Sequence, residues 1–128
     1  MAKREVIQIP GLGHGANPIP LAVKIGGMLF TGSLSGTEPE TGATPTDPAK
    51  QIELAFQNIR RVLEKAGGTT DDIAKVDVRL KDMAHRALVN EEWVKMFPDE
   101  QNRPVRHTVK FDLPGETAIQ VEIVAVIG

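Results

Sequence analysis

An amphipathic segment between Asp47 and Gly68 constrains the fold of this 128-residue chain more than any other feature. Apolar residues recur there at helical spacing and define one continuous helix face. They are Ile52, Phe56, Ile59, Leu63 and Ala66. Asp47 is a good N-cap, Pro48 suits the first helical position, and Gly67-Gly68 is a typical helix end. The sequence therefore predicts a long helix with one buried side that starts at Pro48.

Segments of alternating apolar and polar residues predict the strands. These segments cover residues 5–9, 21–25, 28–31, 76–80, 105–111 and 118–126. Gly26-Gly27 predicts a hairpin between two of them, because glycine permits positive φ at both central positions. A second helix is predicted over about residues 84–97, and Pro98 ends it. Glycine and proline mark two long loops, 11–20 and 32–47.

The order of these elements predicts an α+β sandwich, in which two helices cover one mixed β-sheet. The length fits one domain, residues 1–128. The sheet face that the helices leave uncovered still contains apolar residues. That face needs a partner, and a neighbouring subunit is the natural candidate.

Composition and spacing exclude several classes of function. The net charge is -2 and the charges are mixed, which argues against nucleic acid binding. The absence of cysteine excludes disulfides, thiolate metal sites and cysteine nucleophiles. His14, His85 and His107 lack metal-ligand spacing, so no metal is expected. No apolar stretch approaches the roughly 20 residues of a membrane span, and no signal peptide is recognisable, which fits a cytoplasmic protein.

Two charged residues in otherwise apolar strands are candidates for chemistry. Arg106 needs an anion or several carbonyls as partners, and its planar fork suits a substrate carboxylate. Glu122 lies within the segment VEIVAVI, where it suits a general acid or base acting through water. The alternative is a structural ion pair between Arg106 and Glu122 with no catalytic duty. Residue type alone leaves both interpretations of Arg106 open and favours the ion pair for Glu122.

Other polar residues give weaker indications. A lone asparagine in a helix, such as Asn90, is usually just exposed. Ser33 and Ser35 are the only serines, and no GxSxG elbow surrounds them, so serine hydrolase chemistry is not expected. His107 follows Arg106 directly, so the two side chains point to opposite faces of their strand.

Four segments, in order over about residues 20–127, resemble the YjgF/RidA family. GGMLFTGSLSGTEPETG resembles its strand-and-turn motif, and QIELAFQNIRRVLEKAGGTTDDIAKVDVRLKDM its amphipathic helix and following strand. ALVNEEWVKMF resembles its V-N-x-x-Y/W-x-x-x-F helix, and RPVRHTVKFDLPGETAIQVEIVAVI its ending. The resemblance implies a chorismate-mutase-like fold and a homotrimer with a central barrel. It also implies active sites in the clefts between subunits.

The resemblance implies roles for particular residues. The family's arginine corresponds to Arg106, which would clamp the substrate carboxylate. Its glutamate corresponds to Glu122, which would position or activate the attacking water, and its helix asparagine corresponds to Asn90. The strand-end amides near Gly32-Ser33 and the amide of Thr108 would complete the carboxylate site.

Two departures from the family pattern indicate a divergent subgroup with a different substrate preference. The usual G-P-Y-S-Q-A segment is replaced by ANPIPLA, with Ile19 where an aromatic residue would stand. The usual serine before the strand-end glycine is replaced by Gly32, with Ser33 following. His14, in the segment HGANPIP, is expected to line the altered pocket.

The implied activity is cofactor-free hydrolysis of reactive enamine or imine intermediates to 2-keto acids and ammonia. The intermediates would be of the 2-aminoacrylate or 2-aminocrotonate type. Three alternatives remain open: a deaminase of a larger unsaturated amino acid such as an aminomuconate-type intermediate, an endoribonuclease or translation inhibitor, and a non-catalytic trimer that binds small carboxylates. Net negative charge and scarce aromatic residues count against RNA.

Overall fold

The first helix forms as the sequence predicts. In the computed structural model, which describes residues 3–128, α1 spans Pro48–Ala66. The Asp47 carboxylate accepts a hydrogen bond from the Ala49 amide at 3.2 Å and caps the helix start. Gly67 adopts the left-handed conformation, with φ of 85°, and ends the helix. All five residues of the predicted apolar stripe are buried.

The second helix, α2, spans Arg86–Met96 and follows a short 3-10 turn at Met83–His85. It agrees with the predicted helix, except that its first residues form this tighter turn. Val89 and Met96 are buried against the core, and Phe97 closes the same side. No helix among residues 3–128 combines the length and the apolar character needed to cross a membrane.

Seven strands among residues 3–128 form one mixed sheet. They are β1 (Glu5–Ile7), β2 (Ala22–Ile25), β3 (Met28–Thr31), β4 (Leu34–Ser35), β5 (Ile73–Leu80), β6 (Val105–Lys110) and β7 (Ile119–Val126). The sheet order is β1-β2-β3-β7-β5-β6, and β4 pairs with β7 beyond the end of β3. Only β5 and β6 are parallel among the paired strands of this sheet.

Two local features differ from the sequence prediction. β4 lies inside the predicted loop 32–47, and its two residues are too few to show an alternating pattern. In the turn between β2 and β3, only Gly26 takes positive φ, at 59°, although the prediction allowed it at both glycines. The predicted fold class is nevertheless confirmed, since two helices cover one mixed sheet.

The two sheet faces differ in what they contact. Alternate residues on β5 and β7, such as Val76, Val78 and Val121, are buried beneath the helices. The opposite face exposes apolar side chains in addition to charged ones, as the sequence predicted. These are Met28, Phe30, Val105 and Val126, which are 38% to 66% exposed. This surface is named the open face below.

A close approach between β4 and α1 generates a stability prediction. A Cβ atom at Gly36 would collide with the backbone carbonyl of Gln51, in the first turns of α1. We expect Gly36→Ala to lower the free energy of unfolding by about 1–3 kcal/mol, because neither backbone has room to relax. Urea unfolding monitored by circular dichroism measures this change.

The matched control is Gly13→Ala, where an added Cβ meets nothing within 4 Å and φ is not positive. That substitution should leave stability unchanged or raise it by about 0.4–1 kcal/mol, by restricting the unfolded chain. Equal effects of the two substitutions would contradict the packing described here.

Candidate functional site

Arg106 is presented by β6 to the side of the sheet that the helices cover. Its register partner on β5 is the buried Val76, and paired residues point to the same face. The guanidinium donates a hydrogen bond to the Asn90 Oδ1 of α2 at 2.7 Å and lies 4.9 Å from the centre of the Trp93 ring. The structure therefore brings Arg106 and Asn90 together.

The charge of Arg106 is not balanced by any carboxylate among residues 3–128. Burial, and to a lesser extent the nearby Arg86, lowers the pKa of Arg106 from its usual value. A neutral amide and an aromatic ring satisfy only part of a five-donor guanidinium. The free donors suit a planar anion such as a carboxylate.

Thr108 lies two residues further along β6 and points to the same face as Arg106. Its hydroxyl oxygen is buried and has no hydrogen-bond partner within residues 3–128. Leaving such a group unpaired costs about 1–3 kcal/mol. The resemblance implies a role for the Thr108 amide alone, so this side chain adds a polar group to the site. Arg106, Asn90 and Thr108 are called the arginine group below.

Glu122 does not join this group within the chain. Its register partner is Asp77, which neighbours Val76 and so points to the open face, opposite to Arg106. There the Glu122 carboxylate pairs with the Arg79 guanidinium at 3.3 Å. The alternative of an Arg106–Glu122 ion pair is therefore wrong for the described chain, since each residue has another partner on another face.

A separate cavity of about 260 Å³ lies beside the segment that joins β3 to β4. Its polar lining comes from His14, Ser33, Ser35, Thr37, Asn58 and Gln120, and the remaining lining residues are glycine or leucine. It is named the His14 cavity. His14 and Ser33 were expected at a pocket, whereas Gln120 was not. Gln120 precedes Glu122 by two residues on β7, so strand alternation was a signal that could have found it.

The wall of the His14 cavity depends on a break in the strand ladder. β3 leaves β7 at Thr31, whose hydroxyl accepts a hydrogen bond from the Ile123 amide at 3.0 Å in place of a backbone carbonyl. β4 rejoins β7 at Leu34, opposite Val121. The intervening Gly32-Ser33 therefore bulges out of the ladder, and Ser33 lines the cavity.

Gly32 serves a purpose other than the one that the resemblance implies. Its amide donates to the Leu21 carbonyl at 2.9 Å, so it is already used within the chain. Its missing side chain makes room for His14, because a Cβ there would come within 3.3 Å of His14 Nε2. Ile19 is 54% exposed and is not among the residues that line the cavity.

The arginine group and the His14 cavity are separated within one chain. β6 carries Arg106, while β4 borders the cavity, and β5 and β7 lie between them. Three strand spacings amount to about 14 Å. No cluster of three histidine or acidic side chains within residues 3–128 could hold a metal ion.

The fold and the match to a family model define the class to which the chain belongs. The family model described as endoribonuclease L-PSP matches residues 16–127. The chain therefore belongs to this family, which confirms the YjgF/RidA membership that its motifs predicted.

Individual relatives agree with this assignment. A RutC family protein of Pyrococcus abyssi is 33% identical, and the alignment covers 98% of each chain. The crystal structure of RidA from an Antarctic Psychrobacter superposes with a TM-score of 0.87 at 29% identity, covering 97% of this chain and 100% of that one. The structure of Escherichia coli TdcF with bound serine gives 0.86 at 28% identity, covering 97% and 99%. TdcF is named, provisionally, a reactive intermediate deaminase.

Trp93 provides a test of anion binding at the arginine group, because it is the only tryptophan and contacts the guanidinium. Titration with 2-oxobutyrate should change the Trp93 fluorescence, since a carboxylate that binds Arg106 alters the charge above the ring. Arg106→Met should abolish the saturable change.

Arg79→Met is the matched control for this titration. Arg79 is also partly exposed and also lies over an aromatic ring, 5.4 Å from the centre of Phe111, but it is on the open face. It should retain the wild-type response. A saturable response in Arg106→Met, with the wild-type midpoint, would contradict an anion site at this guanidinium.

Proposed function

We propose that this protein hydrolyses reactive enamine or imine intermediates to 2-keto acids and ammonia. The proposed substrates are of the 2-aminoacrylate or 2-aminocrotonate type. One observation carries the proposal: the Arg106 guanidinium is partly buried, oriented by Asn90, and free of any carboxylate within residues 3–128. A small 2-imino acid offers the planar carboxylate that such a guanidinium binds through two parallel hydrogen bonds.

The chemistry follows from holding the substrate in one orientation. The enamine tautomerises to the imine, and water adds to the imine carbon, which already reacts readily. Fixing the carboxylate places that carbon at a set position, and orientation supplies much of the rate gain. The reaction requires no metal and no cofactor.

The complete site forms between subunits in this proposal. Within one chain the arginine group and the His14 cavity are about three strand spacings apart, which is too far for one small substrate to contact both. In the proposed assembly, the arginine group of one chain therefore faces the His14 cavity of its neighbour. The exposed apolar side chains of the open face, Met28, Phe30, Val105 and Val126, give a reason for association. The proposed assembly is a homotrimer whose open faces line a central barrel.

One relative supports the choice of substrate class. TdcF carries the name of a reactive intermediate deaminase, and its structure holds serine, an amino acid with a free carboxylate. The family's description as an endoribonuclease receives less support from this chain. Its net charge is -2 and aromatic residues make up 4%, which is a poor basis for binding a polyanion through stacking.

An enzyme assay tests the proposal directly. A serine or threonine dehydratase generates the intermediate, and ammonia or keto acid release is followed with and without this protein. Wild type should accelerate release. Arg106→Ala should reduce the acceleration about 100-fold or more, because the substrate is no longer oriented. Arg106→Lys should recover only part, since an ammonium is not a planar fork.

Glu122→Gln is the informative control in this assay. It removes the carboxylate that pairs with Arg79 on the open face and leaves the arginine group intact. We expect it to keep most of the wild-type rate. Equal rates for wild type, Arg106→Ala and the reaction without protein would overturn the deaminase proposal.

The trimer is tested separately by mass measurement in native buffer. The chain has a mass of 13.9 kDa, so a trimer is expected at three times that value. Val105→Asp places a charge at a 66% exposed apolar position of the open face and should shift the distribution towards monomer. A wild-type monomer at micromolar concentration would contradict a site shared between subunits.

A further inference from the structure

We infer that His14 is the group that transfers protons during hydrolysis in this protein, in place of a carboxylate. The inference rests on the proposed deaminase function and names the acid–base residue of the same site. Three observations on the His14 cavity carry it: which of its lining side chains can exchange a proton, which polar atoms are already used, and how the imidazole is held.

His14 is the only ionisable side chain among the residues that line the cavity. The position on β7 that faces the cavity is Gln120, whose amide does not exchange a proton at neutral pH. Glu122 is not a lining residue and is held by Arg79. Imidazole is the side chain whose protonation changes most readily near neutrality, which suits a proton-transfer role.

Several other polar atoms of the cavity are committed to hydrogen bonds within the chain. The Asn58 amide nitrogen donates to the carbonyls of Ser35 and Thr37, and its oxygen accepts from Arg61. The Ser35 and Thr37 hydroxyls bond each other at 3.0 Å. Within residues 3–128, the side chains of His14, Ser33 and Gln120 remain available to a ligand and its attacking water.

The imidazole is held in a defined place but lacks a partner. Its Nε2 is buried and makes no hydrogen bond within residues 3–128, and the ring packs against Gly32. An imidazole held in this way keeps a hydrogen-bonding nitrogen for a group bound in the cavity. The charged residues of the adjoining segments are Glu38 and Glu40, in the turn that ends at the lining residue Gly42, and Arg61, which donates to the lining residue Asn58. None of the three lines the cavity. Across the proposed subunit junction, the facing charge is Arg106.

The neutral imine first takes a proton from solvent to become an iminium ion, and this proton leaves at the end in the ammonium. The oxygen of water forms a bond to the iminium carbon while neutral His14 takes one water proton, which gives a neutral carbinolamine and an imidazolium. The imidazolium then returns that proton to the carbinolamine nitrogen. The carbon–nitrogen bond breaks, and the hydroxyl becomes the ketone as its proton leaves with ammonia as ammonium. His14 ends neutral, and no oxidant or cofactor takes part.

The test is the pH dependence of ammonia release from dehydratase-generated 2-aminocrotonate. His14→Gln, which keeps hydrogen-bonding capacity without proton exchange, should lower kcat about 100-fold and change KM less than threefold. It should also lose the acidic limb of the wild-type kcat profile. The matched control is His85→Gln, at the 3-10 turn before α2 and outside the cavity, which should keep the wild-type profile.

Folding and anion binding are measured on the same samples. His14→Gln should keep the wild-type native mass and the Trp93 response to 2-oxobutyrate, because the arginine group is unchanged. If His14→Gln keeps the wild-type kcat profile, the inference is overturned while the deaminase function stands. If His14→Gln loses activity together with the native mass or the Trp93 response, then His14 has a structural role in the cavity wall, and the inference is also overturned. If wild type itself is inactive, the proposed function fails instead.

Discussion

The site depends on one electrostatic imbalance: the guanidinium of Arg106 is partly withdrawn from water, and its partners within residues 3–128 are a neutral amide and an aromatic face. A cation in this position is most stable when an anion arrives from outside. Asn90 fixes the direction of the fork without neutralising it. The guanidinium is therefore an oriented positive charge that no carboxylate of residues 3–128 neutralises, which is what the proposed substrate site requires.

Strand register places Arg106 and Glu122 on opposite faces of the sheet, where their charges do not neutralise each other. Arg106 and Glu122 lie on strands that both pair with β5, but at register positions that differ by one residue. One residue of offset places two side chains on opposite faces of a sheet. Glu122 forms an ion pair with Arg79, and Arg106 has no carboxylate partner within residues 3–128. The charge separation is thus a consequence of strand register and needs no special device.

Much of the fold could be predicted because its signals are local. Asp47, Pro48 and Gly67 mark the ends of α1 by capping chemistry, and alternation revealed the longer strands. β4 was missed because two residues carry no periodicity. The partners of Arg106 and Glu122 come from residues 16 and 43 positions away, and no local pattern encodes such distances. No local pattern predicts the contacts of Gly32 either. Its amide donates to the Leu21 carbonyl, and its lack of a side chain leaves room for His14.

The break between β3 and β4 has a consequence for how such a protein diversifies. Because the Thr31 hydroxyl substitutes for one rung of the ladder, the backbone at Gly32-Ser33 does not pair with β7, while both flanking strands do. Ser33 in this gap and Gly13 in the neighbouring loop line the cavity, so a different side chain there changes the cavity and not the sheet. Gly11 and Gly32 do not share this freedom, because a side chain would meet Pro39 or His14. In the proposed enzyme, ligand selectivity can therefore change at Ser33 and Gly13 while Arg106, the proposed carboxylate anchor on β6, stays the same.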